Sequence, residues 1–147
     1  MVRALQMLPP QVLVEAVSSL YESPPQPPAP PPSYYNAAAR VTTSLEPETL
    51  LRHLKRIERR LGREDRKRWA PRPIDLDIAL YDHLVLDTDT LTIPHPRIAE
   101  RAFVLQPLLD LDPDLTHPVT GEGLQKLLTA VGLGGLVFVE GPAWARR

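Results

Sequence analysis

The sequence predicts an α+β fold, a largely antiparallel sheet with helices packed over one face. Three observations lead there. Two stretches with strand-like alternation, 11–21 and 33–44, flank a proline-rich segment. A strongly amphipathic helical pattern follows at 47–61. Beyond it, short apolar runs alternate with turn residues to the end of the chain. At 147 residues the chain has the length of one ordinary domain, and it is read as one domain over 1–147.

The elements follow in order. QVLVEAVSSLY sets Val12, Val14 and Ala16 against Leu13, Glu15 and Val17, as a strand does. Pro24 to Pro32 holds seven of the 18 prolines; without ladder donors it reads as a stiff, polyproline-like surface loop. SYYNAAARVTTS is the second strand. Pro47 suits a first helical position, Leu50, Leu51, Leu54, Ile57 and Leu61 form one apolar stripe, and Gly62 is expected as the left-handed stop. A basic loop occupies 63–72, and a strand is expected over 73–81. A hairpin-like return runs through Leu84–Leu86 and Leu91–Ile93. PHPRIAERAFVLQPLLDLDPDL leads from a loop into a helix that Pro107 interrupts or bends. A short helix near Leu124–Val131 and a strand at Leu136–Glu140 complete the chain.

Composition narrows the function classes. A hydrophobic fraction of 43% and a charged fraction of 24% are those of a soluble globular protein. No apolar run reaches the ~20 residues that span a bilayer, and MVRALQMLPP lacks the pattern of a secretory signal. With no cysteine there is neither disulfide nor thiolate metal site, so a cytoplasmic protein is expected. A net charge of -1 gives no global attraction to nucleic acid or membrane. The chain has no G-x-x-x-x-G-K-[ST] loop, G-x-G-x-x-G turn, Gly-x-Ser-x-Gly elbow or H-x-x-x-H pair.

Chemistry concentrates in RWAPRPIDLDIALY. In a strand, Asp75 and Asp77 lie ~7 Å apart on one face, with Ile74, Leu76, Ile78 and Leu80 on the other. Such a carboxylate pair suits a hard divalent cation completed by phosphate and water; it suits equally a solvated outer face balanced by arginines. From Arg59 to Arg72, seven Arg or Lys stand against Glu64 and Asp65. Arg63, Arg66, Lys67, Arg68 and Arg72 suit bidentate grip on phosphate oxygens, or simply a solvated basic loop. Trp69 within that loop is expected to cap a ligand or pack into a cleft. His95, framed by prolines, is either a phosphate contact or a loop-fixing hydrogen-bonding group.

Taken together these blocks resemble the 6-hydroxymethyl-7,8-dihydropterin pyrophosphokinase family. Its pattern R-W-G-P-R-x-[IL]-D-L-D, then L-x-[IV]-P-H, then R-x-F-[VM]-L-x-P-L is met at every fixed position except Ala70, which replaces glycine. SSLYESPP, YYNAA, RIERRLGR and the closing FVEGPAW follow the same order, so the resemblance runs from about Val2 to the end. It implies a ferredoxin-like fold and transfer of pyrophosphate from ATP to the pterin's hydroxymethyl oxygen, releasing AMP. Asp75 and Asp77 match the aspartates that bind two Mg2+ ions, and Asp75 also stands where it would orient the nucleophile. Arg63 and Arg72 match arginines on the triphosphate, and Trp69 the aromatic that closes over the site. His95 and Arg101 match ATP-phosphate contacts, and Glu58 an adenosine-side position. Ser23, Pro24, Tyr34, Asn36 and Phe103 match the pterin site, where Phe103 and an aromatic partner stack on the ring and Asn36 meets its hydrogen-bonding edge. Neighbouring folate-pathway enzymes are the implied partners.

The chain departs from the family in places. Members begin with a strand ending in Gly-Ser-Asn and a full helix, whereas this chain opens at VRALQML, inside what resembles that helix. The first strand is therefore expected to be absent, leaving unpaired backbone on its neighbours, and the true start is expected upstream. Asp65 stands where a second arginine is common, and Pro96 where some members have tyrosine. The alternative to an active enzyme is a non-catalytic pterin- or nucleotide-binding remnant, or a partner module of another folate enzyme. An RNA-binding domain has less support: paired aromatics on a central strand are missing, and the acidic pair repels phosphate.

Overall fold

The computed structural model describes residues 1–25, 33–64 and 74–147, with the backbone alone at Arg63 and Glu64. A short helix α1 (Val2–Met7) precedes a long antiparallel hairpin. One arm is β1 (Val12–Val17) followed by β2 (Leu20–Ser23); the other is β3 (Tyr34–Asn36) followed by β4 (Ala39–Thr43). β1 pairs with β4 from Val12↔Thr43 to Val17↔Ala39, with a bulge between Val14 and Ala16. β2 pairs with β3, Tyr21 facing Asn36 and Ser23 facing Tyr34.

Each arm was expected to be one continuous strand, and each is broken. The break falls at Ser18–Ser19, opposite Ala37 and Ala38. Buried Ser18 donates its N–H to the Ala38 carbonyl and accepts the Ala38 N–H on Oγ, both at 2.8 Å. Its own carbonyl accepts the Trp144 indole N–H at 2.9 Å. A serine hydroxyl that takes the place of a backbone carbonyl interrupts the regular ladder while leaving the buried amide satisfied.

Helix α2 (Pro47–Glu64) starts at Pro47 as expected, but it runs 18 residues and passes through Gly62. Gly62 is not the left-handed stop, for its φ is not positive. One glycine costs a helix only about 1 kcal/mol, too little to end one anchored along its whole stripe. Leu50, Leu54, Ile57 and Leu61 bury that stripe against Ala4 and Leu8 of the α1 region, Val12, Ile78, Leu91 and Ile93.

The strand expected at 73–81 forms no ladder over its described part, 74–81. Its alternation of sides survives through Ile78: Ile74, Leu76 and Ile78 pack on the α2 core while Asp75 and Asp77 are exposed. Leu80 departs from the expected face and packs, with Ala79, in a second core. Two bonds from outside any sheet secure this segment. The Leu76 N–H donates to Glu58 Oε1 at 2.6 Å, and the Ala79 carbonyl accepts the His95 N–H at 2.9 Å. Next come the short hairpin strands β5 (Leu86–Asp87) and β6 (Thr92–Ile93). The Ile98–Glu100 turn leads into α3 (Ala102–Leu111), which continues through Pro107. α4 (Leu124–Val131) and β7 (Val137–Glu140) follow.

α3 packs against β2, β3, β4 and α4, and the second core joins Ile98, Ala102, Leu105, Leu108 and Leu109 to Leu124 and Leu128. β7 adds to the free edge of β2, so the described sheets are β1-β4, β3-β2-β7 and β5-β6, all antiparallel. The fold is α+β as expected, with its ladder divided into three. No described helix is long and apolar enough to cross a membrane.

Candidate active site

Glu58 sits on the fourth turn of α2, where the apolar stripe gives way to the polar flank. Its side chain is 10% exposed, and Oε1 accepts both the Leu76 N–H and the Lys55 ammonium, the latter at 3.0 Å. Lys55 Nζ also lies 3.9 Å from Asp77 Oδ1, and Asp77 is 59% exposed. One lysine therefore bridges an adenosine-side candidate and a metal-side candidate. Glu58 in turn ties the aspartate-bearing segment to the helix through Leu76, which occupies the position between the two aspartates. An ion pair this open contributes ~0–1 kcal/mol; the bond to a nearly buried carboxylate contributes more.

His95 stands across from Asp77. Its Nδ1 accepts the Arg97 N–H at 3.2 Å, which in the neutral ring places the proton on Nε2. Burial lowers its pKa below the ordinary value; Asp77 opposes this, while Arg101 and Arg97 add to it. The bond from the Arg97 N–H fits a loop-fixing role for His95, and its titration is governed first by burial and then by the charges around it. The Arg101 guanidinium lies 5.4 Å from the Phe103 ring centroid, a cation–π contact joining the phosphate-side candidates to the pterin-side candidates.

Three of the remaining pterin-side candidates, Ser23, Tyr34 and Asn36, share one face of the β3-β2-β7 sheet. Facing residues of a ladder point to the same side, so Tyr21 and Asn36, Ser23 and Tyr34 form two adjacent rows. The Asn36 amide donates to Ser23 Oγ at 2.9 Å and to the Tyr34 carbonyl at 3.2 Å, and Ser23 is buried. Tyr34 is exposed and Pro24 follows Ser23 at the surface. α3 is fastened across this region. Tyr21 donates its hydroxyl to Asp110 Oδ2 at 2.6 Å, while Gln106 donates to Asp110 Oδ1 at 3.1 Å. Burial first, then the bond and the charge of Asp110, raise the Tyr21 pKa from 10.0 to about 12.

The structure thus gathers Glu58, Asp77, His95 and Arg101 around one segment, with Asp75 on the same exposed side and Phe103 beside Arg101, and joins Ser23, Tyr34 and Asn36 on a second surface. The candidates Trp69 and Arg72, like Arg66, Lys67 and Arg68, lie outside the described residues; Arg63 falls in the last turn of α2, its side chain likewise undescribed. Lys55 escaped the sequence reading although its i,i+3 spacing to Glu58 is a legible signal. The Tyr21–Asp110 pair had none, its members being 89 positions apart.

Among the described residues, no group of three or more His, Asp or Glu gathers as a metal site. Two exposed, oxygen-only carboxylates match a hard cation that takes its other ligands from phosphate and water.

A family model described as 7,8-dihydro-6-hydroxymethylpterin-pyrophosphokinase matches residues 1–113. The chain is 44% identical over 138 residues to the 2-amino-4-hydroxy-6-hydroxymethyldihydropteridine pyrophosphokinase of Pseudomonas aeruginosa, covering 94% of this chain and 84% of that one. It is 35% identical over 124 residues to the protein of the same name in Aquifex aeolicus, covering 84% and 78%. A folic acid synthesis protein of Pneumocystis carinii is 50% identical over 110 residues, 75% of this chain but only 15% of that longer protein. The chain spans less than a fifth of the folic acid synthesis proteins it matches.

Proposed function

This chain belongs to the 7,8-dihydro-6-hydroxymethylpterin-pyrophosphokinase family, and from that premise we propose that it transfers pyrophosphate from ATP to 6-hydroxymethyl-7,8-dihydropterin in folate biosynthesis. The pterin's hydroxymethyl oxygen forms a bond to the β-phosphorus. The bond from that phosphorus to the oxygen bridging the α-phosphate breaks, its electron pair leaving with AMP, and the hydroxyl proton passes to solvent. Such a transfer asks the protein for alignment and charge neutralisation rather than covalent participation.

Asp75 and Asp77 are assigned as the ligands of Mg2+, two ions in this reading, which when bound would offset the charge of the phosphates. Glu58, Trp69, His95 and Arg101 are assigned to ATP, Arg63 and Arg72 to the transferring phosphates, and Ser23, Pro24, Tyr34, Asn36 and Phe103 to the pterin. The observation that carries the reading is the meeting of Asp77 with Lys55 and Glu58 on one side and the His95–Arg101 group on the other. A neutral His95 with its proton on Nε2 suits donation to a phosphate oxygen without needing a second proton. Action as one domain, a cytoplasmic setting and a working context among other folate enzymes complete the proposal; the names of the longer relatives support the last.

AMP release from ATP and Mg2+, with and without the pterin, tests the assignment in the wild-type chain and in Asp77→Ala. Pterin-dependent AMP should form and fall by about 10²–10³-fold in the variant, a typical loss for a charge-stabilising group. Asp77 is exposed, so the thermal midpoint should barely move. A folded wild-type chain that makes no AMP, or a variant at full rate, would refute the proposal.

A further inference from the structure

The segment after residue 113 lies beyond the family-model match, yet it builds against the pterin-side surface. β7 pairs with β2, Tyr21 facing Phe138 and Glu22 facing Val137. The Tyr21 and Phe138 rings meet edge to face at 6.1 Å. Trp144 anchors the end of the segment on the Ser18 carbonyl. Between α4 and β7 runs the loop Gly132-Leu133-Gly134-Gly135, closed by the Leu136 N–H donating to the Leu133 carbonyl at 2.9 Å.

Gly135 in that loop faces one of the pterin-side candidates, Pro24. Its φ is +87°, and a Cβ built there would lie 3.3 Å from Pro24 Cγ and 3.7 Å from Pro24 Cδ. Gly132, three residues earlier and also left-handed at φ +77°, meets nothing within 4 Å. The close approach that a side chain would make is therefore particular to position 135 and not a consequence of the loop's positive φ values in general. Ser23, immediately before Pro24, is held by the Asn36 amide and by burial, whereas Pro24 is at the surface. Displacement forced by a side chain at 135 would pass into Pro24, not into the sheet.

We infer that Gly135 is a positioning residue for the pterin site: its bare backbone seats Pro24, setting the affinity for the pterin without touching the nucleotide side. The inference rests on the function proposed above and extends it to residues beyond the 1–113 that the family model matches. It assigns no chemistry to Gly135, which acts only through Pro24.

The test compares Gly135→Ala with Gly132→Ala in full steady-state kinetics, alongside calorimetric binding of the pterin to each chain and thermal melts. Both variants place a Cβ at a positive φ, so both should lose stability to a similar extent. Only Gly135→Ala should raise the KM and the Kd for the pterin, by about tenfold, with kcat and the KM for ATP held within about twofold. In a Pro24→Ala background, which removes the ring atoms a Cβ would meet, the effect of Gly135→Ala should shrink to about twofold. Equal pterin effects in the two glycine variants, or a Gly135→Ala chain that is less stable with unaltered pterin affinity, would reject the positioning role and leave the proposed activity standing. A wild-type chain that neither binds pterin nor releases AMP would reject both.

Discussion

Removing the Glu58 carboxylate should loosen the aspartate segment before it loosens the rest of the protein. Residues 74–80 have no ladder of their own, and the Leu76 N–H bond to Glu58 Oε1 is one of the two backbone ties described for them. Glu58→Ala deletes a hydrogen bond to a charged acceptor, about 1.5–3 kcal/mol, and leaves the Leu76 amide without that acceptor. The Lys55 pair adds at most about 1 kcal/mol, and less in practice because Lys55 is 37% exposed. A total near 2–3 kcal/mol, at ~2–4 °C per kcal/mol for a chain of this size, lowers the Tm by about 4–12 °C. Glu58→Gln keeps a carbonyl oxygen in the same place and should lose only about 1 kcal/mol. Urea denaturation measures both differences, and hydrogen exchange at the Leu76 amide reads the local effect. The reasoning fails if Glu58→Gln costs as much as Glu58→Ala, or if Leu76 exchange accelerates no more than the core amides of α2.

Two further outcomes follow from the charges. The Tyr21 phenolate should appear with a midpoint near 12, followed by ultraviolet absorbance. Because this pKa is raised above the ordinary 10.0, the stability it supplies is complete below pH 10 and is lost as pH rises through the folded value. Tyr21→Phe should cost about 1.5–3 kcal/mol at neutral pH, and a phenol titrating near its ordinary value would disprove the bond to Asp110. For His95 the sign is reversed: its lowered pKa supplies stability that is complete above 6.5 and lost as pH falls through the folded value. Asp77→Asn should lower that pKa further, Arg101→Ala should raise it, and NMR titration of the ring that finds either shift in the opposite direction would rule out the assigned neighbours.

Much of this arrangement was legible in one dimension. The apolar stripe from Leu50 to Leu61 identified α2 because helical periodicity is local and its burial follows from composition. The alternation around Asp75 and Asp77 placed the carboxylates on the solvent side through Ile78, and the block RWAPRPIDLD carried the family resemblance. Gly62 misled because glycine is permissive rather than obligatory as a helix stop, and α2 is held by the packing of the stripe that ends at Leu61 just before it.

Only the tertiary structure decided how these pieces bond to one another. Whether 74–80 joins a ladder depends on partners that periodicity does not name; here Glu58 and His95 take that place. The breaks at Ser18 and Ala38 depend on a hydroxyl and on an indole 126 positions away. Lys55 between Glu58 and Asp77, Asp110 on Tyr21, and Gly135 against Pro24 are likewise contacts across the fold. The sequence by itself determined the residue types and faces from which a phosphate and pterin site is assembled, because those follow from local spacing. Their mutual distances, and the charges each one feels, arise only when separate segments are packed together.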